Sequence, residues 1–201
     1  MKLREVKILN KWYLDLHENS ENDIVLSTRI RLARNLEQFP FGDNISDEDA
    51  IKLSELIKGA VADINLGDNP LTFNSGIDID DVTIKTLVEK HSISPDFANR
   101  RNHSSLLLSE DESISIMINE EDHVRIQALQ SGLSLNKALD IANKIDDVID
   151  ARVNYAFDEK LGYLTTCPTN IGTGLRASVM LHLPAYERAN MIPNLASMVS
   201  K

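Results

Sequence analysis

The sequence has little cysteine, few aromatic residues and a shortage of positive charge. Its one cysteine, Cys167, cannot form a disulfide within the chain. The 21 Lys and Arg residues are outnumbered by 31 Asp and Glu residues, which gives a formal net charge of -10. Because such a charge repels polyanions, we expect no sequence-independent binding of nucleic acid.

Long apolar runs are also missing. No stretch approaches the roughly 18 apolar residues of a membrane span, and residues 1–19 have no apolar core of a secretory signal. We therefore expect a cytoplasmic protein without membrane association. At 201 residues and 42% hydrophobic content, the chain can still bury a sizeable core. No His, Cys or acid spacing suggests a metal site of the protein, and none is predicted.

The hydrophobic patterning predicts an α+β fold with a largely antiparallel sheet flanked by helices, in one domain that covers residues 1–201. Predicted strands follow one another through short hairpins. The predicted strands and hairpin are 23–35, 71–77, 105–109, 113–118, 124–129 and 155–166; the predicted helices are 3–17, 46–64, 78–91, 134–154, 175–183 and 186–201. Residues 92–105 are predicted to be a polar loop.

Residues 119–127 combine an unusual number of charges. The stretch NEEDHVRIQ places three adjacent carboxylates directly after the apolar run ISIMI. Adjacent carboxylates repel one another unless cations or a ligand offset them, so the stretch is a candidate functional site. An acidic hairpin tip at the end of a strand is the alternative.

Two further stretches carry candidate chemistry. In LSTRIRLARN, an extended backbone would project Arg29 and Arg31 from one face, where they could hold anionic oxygens; a solvated basic strand end is the alternative. In CPTNIGTGLRAS, Gly172 and Gly174 precede a predicted helix, which suggests an anion-binding loop or a structural glycine turn. A dinucleotide site is disfavoured because no βαβ unit surrounds the glycines. Cys167 alone is more typical of a small buried hydrophobe.

Together these stretches resemble the ATP:guanido phosphotransferase, or phosphagen kinase, family. Its Ser-x-Arg-x-Arg, Asn-Glu-Glu-Asp-His and Cys-Pro-x-Asn-x-Gly-Thr-Gly motifs occur here in the same order. The segments STRIRLARN, LVEKH and GYLTTCPTNIGTG resemble the subgroup that phosphorylates arginine in proteins. Arg29 lies too near the N-terminus for a preceding helical domain, which favours that subgroup. The resemblance implies a guanido kinase or glutamine synthetase-like catalytic domain.

The resemblance also implies roles for individual residues. The pKa of a guanidinium lies far above neutral pH, so the group stays protonated and needs carboxylates before its nitrogen can act as a nucleophile. The family pattern makes Glu121 the guanidinium anchor and base, and places Cys167 beside the guanidinium. It assigns the ATP site to Ser27, Thr28, Arg29, Ile30, Arg31, His91, Arg125, Arg176, Ala177, Ser178, Val179 and Met180. Mg²⁺ is expected on the nucleotide, with no protein ligand named.

The partners implied by the resemblance are arginine-bearing protein substrates, an activator protein, a stress-gene repressor, a Clp ATPase or protease, and a second copy of the chain. In the family, the catalytic domain continues beyond the equivalent of Lys201 with a strand and a loop that add another acid and another arginine. We therefore expect this catalytic domain to be incomplete at the C-terminus. A nucleotide-binding or interaction module without catalysis, and a kinase for free arginine, are the alternatives.

Overall fold

One antiparallel sheet organises the chain. The computed structural model describes residues 11–14 and 24–200. The strands are β1 Val25–Arg34, β2 Leu71–Ser75, β3 Ser105–Ser109, β4 Ile114–Ile118, β5 Val124–Ser131, β6 Phe157–Asp158, β7 Gly162–Tyr163 and β8 Leu175–Leu181. Six of them form a sheet in the order β2-β3-β4-β5-β1-β8, and every neighbouring pair is antiparallel. The short β6 and β7 pair separately.

Among the described residues, six α-helices accompany the sheet, and side-chain caps fix where three of them begin. They are α1 Asp47–Ala60, α2 Asp81–Glu89, α3 Pro95–Arg100, α4 Leu135–Asp150, α5 Pro184–Arg188 and α6 Ile192–Val199. The side chains of Ser46, Asp80 and Ser94 accept hydrogen bonds from backbone N–H groups in the first turns of α1, α2 and α3. Such caps satisfy donors that the helix itself leaves free. The predicted α+β fold is confirmed.

The sheet separates two apolar cores. Helices α1 and α4 cover one face, where the buried core residues include Ile30, Leu32, Leu53, Ile57, Ile116, Ile126, Ile145 and Ile149. Helices α2 and α3 cover part of the other face with a smaller cluster that includes Ile84, Leu87, Phe97, Leu106 and Met117. Because successive side chains in a strand point to opposite faces, Arg29, Arg31 and Arg125 lie on the second face. We call the part of this face beside β1, β5 and β8 the arginine face.

The structure corrects the prediction for residues 175–183. Within the segment LRASVMLHL, Leu175–Leu181 forms the edge strand β8 rather than a helix, and it pairs with β1. A short apolar run fits either structure, and here the pairing with β1 decides, because it supplies main-chain partners that local preference cannot. Gly172 and Gly174 therefore precede a strand, and the idea that they present a helix N-terminus to an anion is wrong.

Residues 92–105, predicted to be a loop, contain α3, whose Ser-Pro start is a recognised helix signal. The predicted helix over 3–17 falls largely outside the described residues; within it, Trp12–Leu14 forms a 3₁₀ turn. In the described part of the chain, no helix has the length and apolar character needed to cross a membrane.

Candidate active site

Three neighbouring strands bring four arginines to the arginine face. In the pairing of β1 with β8, Arg31 lies opposite Arg176 and Arg29 lies opposite Ser178. Arg125 comes from β5, on the other side of β1. The Arg29 Nε donates a hydrogen bond to Ser178 Oγ at 3.3 Å. Directly opposed residues share a face of the sheet, so this register gathers four cationic side chains from three strands that are distant in sequence.

The positive charges of Arg29 and Arg31 on this face are poorly compensated. Burial, followed by repulsion from Arg176 and Arg125, lowers the pKa of Arg29. Burial and repulsion from Arg29, Arg176 and Arg125 lower the pKa of Arg31 to about 10, and Glu120 only partly opposes this. The Arg31 Nε is also buried with no hydrogen-bond partner within the described residues. A bound polyanion would relieve this repulsion and supply acceptors, so the face is suited to phosphate groups.

Two adjacent cavities open on the arginine face and share Arg29 and His91 as walls. The first, of about 250 Å³, has a largely apolar lining formed by Trp12, Ser27, Arg29, His91, Leu129, Ser178, Val179 and Met180. The second, of about 310 Å³, is cationic and includes Arg31 and Arg125. An apolar compartment beside a cationic one fits a ligand that has a ring system at one end and several negative charges at the other.

His91 is held at the junction of the two cavities by its main chain. It has a positive φ of 60°, which is uncommon for a residue with a side chain. Its carbonyl oxygen accepts a hydrogen bond from Gln127 Nε2 at 2.8 Å. The turn after α2 is thus attached to β5, one of the strands that carry the arginine face.

The adjacent acids of NEEDH have separate partners, which explains how the structure tolerates them. Glu120 is buried and accepts from Arg125 Nη1 at 2.7 Å and from the Ser94 hydroxyl. Its other oxygen accepts from the Glu121 backbone N–H at 2.9 Å. The Glu121 carboxylate accepts from Arg125 Nη2 at 2.6 Å, and its side chain is 37% exposed. Glu120 therefore orients Arg125, and Glu121 is the accessible carboxylate of this group.

Asp122 and His123 connect the acidic turn, residues 119–123, to the residues that follow β1 and to Thr166. Asp122 Oδ1 accepts from Asn35 Nδ2 at 2.8 Å and from the Thr166 backbone N–H at 2.7 Å. The His123 Nδ1 accepts from the Leu36 backbone N–H at 3.0 Å, and its Nε2 lies 3.0 Å from the Pro40 carbonyl oxygen. Burial lowers the pKa of His123. A neutral imidazole with its proton on Nε2 satisfies both contacts.

Cys167 stands at the start of the glycine loop, residues 167–174, and the residue before it contacts the acidic turn, residues 119–123. Its neighbour Thr166 is bonded to Asp122, which is itself the neighbour of Glu121. The Cys167 thiol is half-buried and lies 3.0 Å from Thr169 Oγ1. Asp122 therefore joins the segments that hold the two predicted catalytic residues.

The glycine loop meets the end of β1 too closely for a side chain. Gly174 has a φ of 61°, and a Cβ at this position would lie 2.5 Å from the Ala33 carbonyl oxygen. Arg34 reinforces the contact, since its Nη1 donates to Thr173 O at 3.0 Å and its Nη2 pairs with Asp146 at 2.6 Å. Its guanidinium also lies 3.6 Å from the centre of the Tyr163 ring. Arg34 thus attaches the loop to α4 from the face opposite Arg31.

Not every predicted ATP-site residue presents its side chain to the cavities. Thr28 Oγ1 donates to Gly132 O at 2.6 Å and Ile30 belongs to the main core, so both side chains lie on the α4 side. Ala177 aligns with Ile30 in the β1–β8 register. The predicted residues that line a cavity are Ser27, Arg29, Arg31, His91, Arg125, Ser178, Val179 and Met180.

Comparison with known proteins adds an independent line of evidence. Residues 52–201 match the sequence model of the ATP:guanido phosphotransferase C-terminal catalytic domain. The chain belongs to this family. Among solved structures, the duplicated taurocyamine kinase from Schistosoma mansoni with bound transition state analog components superposes with a TM-score of 0.77 at 27% identity, over 90% of this chain and 26% of that one. A lombricine kinase superposes with a TM-score of 0.68 at 24% identity, over 82% of this chain and 50% of that one, which supports the fold.

Bacterial members of the family are more similar in sequence. The protein-arginine kinase of Halalkalibacterium halodurans is 49% identical over 184 residues, which are 92% of this chain and 52% of the relative. That of Clostridium acetobutylicum is 45% identical over 181 residues, 90% of this chain and 53% of the relative. The chain thus spans about half the length of the curated relatives it matches.

Proposed function

We propose that the chain transfers the γ-phosphoryl group of ATP to arginine side chains in proteins. The observation that carries this proposal is the accessible carboxylate of Glu121 at the end of a face that presents four arginines. The similarity to protein-arginine kinases supports a protein substrate rather than free arginine. The matched region is about half the length of those relatives, so their activity is carried over to this chain as a proposal.

ATP would bind with its base in the apolar cavity and its phosphates against the arginine face. Arg29 and Arg31 lie in the cationic cavity, and Arg125 approaches it from β5. Phosphate oxygens would accept hydrogen bonds from the guanidinium N–H groups that have no partner within the described residues. Their negative charge would also reduce the repulsion that lowers the pKa of Arg31. Mg²⁺ held by the phosphates would reduce the charge on the transferring group. Among the described residues, no three His, Cys, Asp or Glu side chains are grouped to hold a metal ion.

The substrate guanidinium would then replace Arg125 as the partner of Glu121. Glu121 takes a proton from the guanidinium, and the freed nitrogen lone pair attacks the γ-phosphorus. The N–P bond forms while the bond from phosphorus to the β–γ bridging oxygen breaks, and that oxygen leaves with ADP. The arginine face holds the phosphates in line, and Cys167 influences the charge of the bound guanidinium.

The product decides between this function and its alternatives. We expect ATP to give acid-labile phosphoarginine on an arginine-rich protein, and much less product with free arginine. Efficient phosphorylation of free arginine would favour the small-molecule kinase. ATP binding without product on either substrate would favour a binding module. A matched protein substrate with every arginine replaced by lysine is the control and should remain unlabelled.

The resemblance supports wider proposals about cellular role. We propose that residues 1–201 belong to a single catalytic domain, that the protein works in the cytoplasm and that it can self-associate. The same resemblance supports a role in stress response through an activator protein, a stress-gene repressor and delivery of marked proteins to a Clp protease. Co-purification of a Clp ATPase with phosphoarginine-bearing substrates would test the last of these.

A further inference from the structure

Trp12 contributes to the apolar cavity, although no motif in the sequence marks it as a site residue. It is the chain's one tryptophan. Its 3₁₀ turn, Trp12–Leu14, precedes β1 and reaches the same cavity that Arg29, His91 and Met180 line. The residues that the family pattern assigns to the nucleotide therefore share a compartment with an aromatic ring from a different part of the chain.

Ionic contacts hold the Trp12 segment in place. The Trp12 backbone N–H donates to Asp111 O at 3.3 Å, and Lys11 Nζ lies 2.8 Å from a Glu112 carboxylate oxygen. Lys90, the residue before His91, binds the other Glu112 oxygen at 3.0 Å. Burial alone would raise the pKa of Glu112, but hydrogen bonds from Lys11 and Lys90 outweigh burial and lower it. Glu112 thus joins the Trp12 segment to the turn that carries His91.

The lining of the cavity is graded from apolar to cationic. Trp12, Leu129 and Met180 contribute apolar surface, whereas Arg29 and His91 form the boundary with the cationic cavity. A nucleotide that places its phosphates on the arginines has its base on the apolar side, because the reverse orientation would bury phosphate charge against apolar side chains. An indole offers a flat, polarisable surface against which any base can pack.

We propose that Trp12 contacts the base of the bound nucleotide, so that the nucleotide site includes the 3₁₀ turn Trp12–Leu14. The proposal rests on the proposed function, since it takes ATP as the ligand. In this proposal Trp12 binds the base, and the arginine face binds the phosphates. Stacking tolerates different bases, so Trp12 supports affinity for nucleoside triphosphates in general.

The emission of Trp12 provides a direct test, because no other tryptophan contributes to the signal. Titration of the unmodified chain with Mg·ATP should change the indole emission with the same midpoint that calorimetry gives for ATP. Inorganic tripolyphosphate, which has no base, should bind the arginine face and leave most of the emission unchanged. ATP binding without any change in Trp12 emission would overturn the proposal.

Substitutions separate a base contact from a structural role. Trp12→Ala should weaken ATP binding by about 5- to 150-fold, since base–aromatic stacking is worth about 1–3 kcal/mol per base. Trp12→Phe should retain most of the affinity, and tripolyphosphate should bind all three proteins equally. Phe157→Ala, which removes an exposed aromatic side chain elsewhere, is the matched control and should not alter ATP binding.

The outcomes distinguish this inference from the proposed function. Equal loss of ATP and tripolyphosphate affinity in Trp12→Ala would show that Trp12 only supports the fold. Unchanged ATP affinity in Trp12→Ala would overturn the base contact while leaving phosphoryl transfer intact. Failure of the unmodified chain to bind ATP would overturn both.

Discussion

Replacing Arg34 with methionine should test how the glycine loop is attached to the rest of the fold. Arg34 is nearly fully buried, and its Nε and Nη2 bind one Asp146 oxygen at 3.1 and 2.6 Å. Its Nη1 donates to the carbonyl oxygens of Ala33 and Thr173. Methionine retains much of the side-chain volume but removes the charge and every donor, so Asp146 loses this cation.

The expected cost follows from the state of Asp146. Removing one member of a buried ion pair costs about 3–5 kcal/mol. Asp146 can avoid part of this by taking up a proton, and neutralising a carboxyl of pKa about 3.9 at pH 7 costs about 4 kcal/mol. Burial already raises the pKa of Asp146, with Arg34 opposing the rise. We therefore expect Arg34→Met to lose about 3–4 kcal/mol of unfolding free energy at pH 7.

The pH dependence of this loss gives a second, independent signature. Because Arg34→Met raises the folded-state pKa of Asp146 further, stability is retained at low pH and is lost as pH rises through that pKa. Urea unfolding at pH 5 and pH 7 should show the variant's deficit shrinking by up to about 2.7 kcal/mol at the lower pH. Arg34→Met combined with Asp146→Leu should recover most of the stability. A deficit independent of pH, or additive effects in the double variant, would refute the reasoning.

Three other predictions concern the site and its support. Arg31→Ala should weaken ATP binding by about 10- to 150-fold, since it removes charge-assisted contacts worth about 1.5–3 kcal/mol; unchanged affinity by calorimetry would contradict a phosphate role. Cys167→Ser should fold normally and lose most, though not all, of the transfer rate, and a trapped phosphocysteine would exclude direct transfer to arginine. Burial lowers the folded-state pKa of His123, so stability should be complete above the unfolded value of about 6.5 and fall as pH drops below it. His123→Gln should flatten that slope in urea unfolding measured from pH 7.5 to 5.5, and an unaltered slope would assign it to other groups.

The sequence predicted the sheet well where patterning was strong. The hairpin of β3 and β4 and the long helix α4 match the predicted ranges closely, because alternation and helical periodicity both extend over whole elements. The prediction of a helix over residues 175–183 was wrong. The segment has only nine residues and is mostly apolar, so its periodicity does not distinguish a helix from a strand. Pairing with β1, which lies about 150 residues earlier in the chain, determines its structure.

The site was predictable at the level of motifs but not of contacts. Arg29 and Arg31 have the period of a strand, so their common face followed from the sequence. The partnership of Glu120 with Ser94 and Arg125 did not, because Ser94 lies 26 residues earlier in a region predicted to be a loop. The position of Trp12 in the apolar cavity was not predicted either, because an isolated aromatic residue belongs to no motif and only the fold shows which cavity it lines.

Glu121→Gln tests the central claim most directly, because ATP binding and phosphoryl transfer can be measured separately in this variant. Glutamine retains the shape of Glu121 and removes the charge that binds and deprotonates the guanidinium, while leaving the arginine face in place. With saturating Mg·ATP and an arginine-bearing protein, we expect phosphoarginine formation to fall by at least about 100-fold and calorimetric ATP affinity to change little. Glu159→Gln, which neutralises an exposed acid in the turn between β6 and β7, should match the unmodified chain in both measurements. Near-normal transfer by Glu121→Gln would contradict the account.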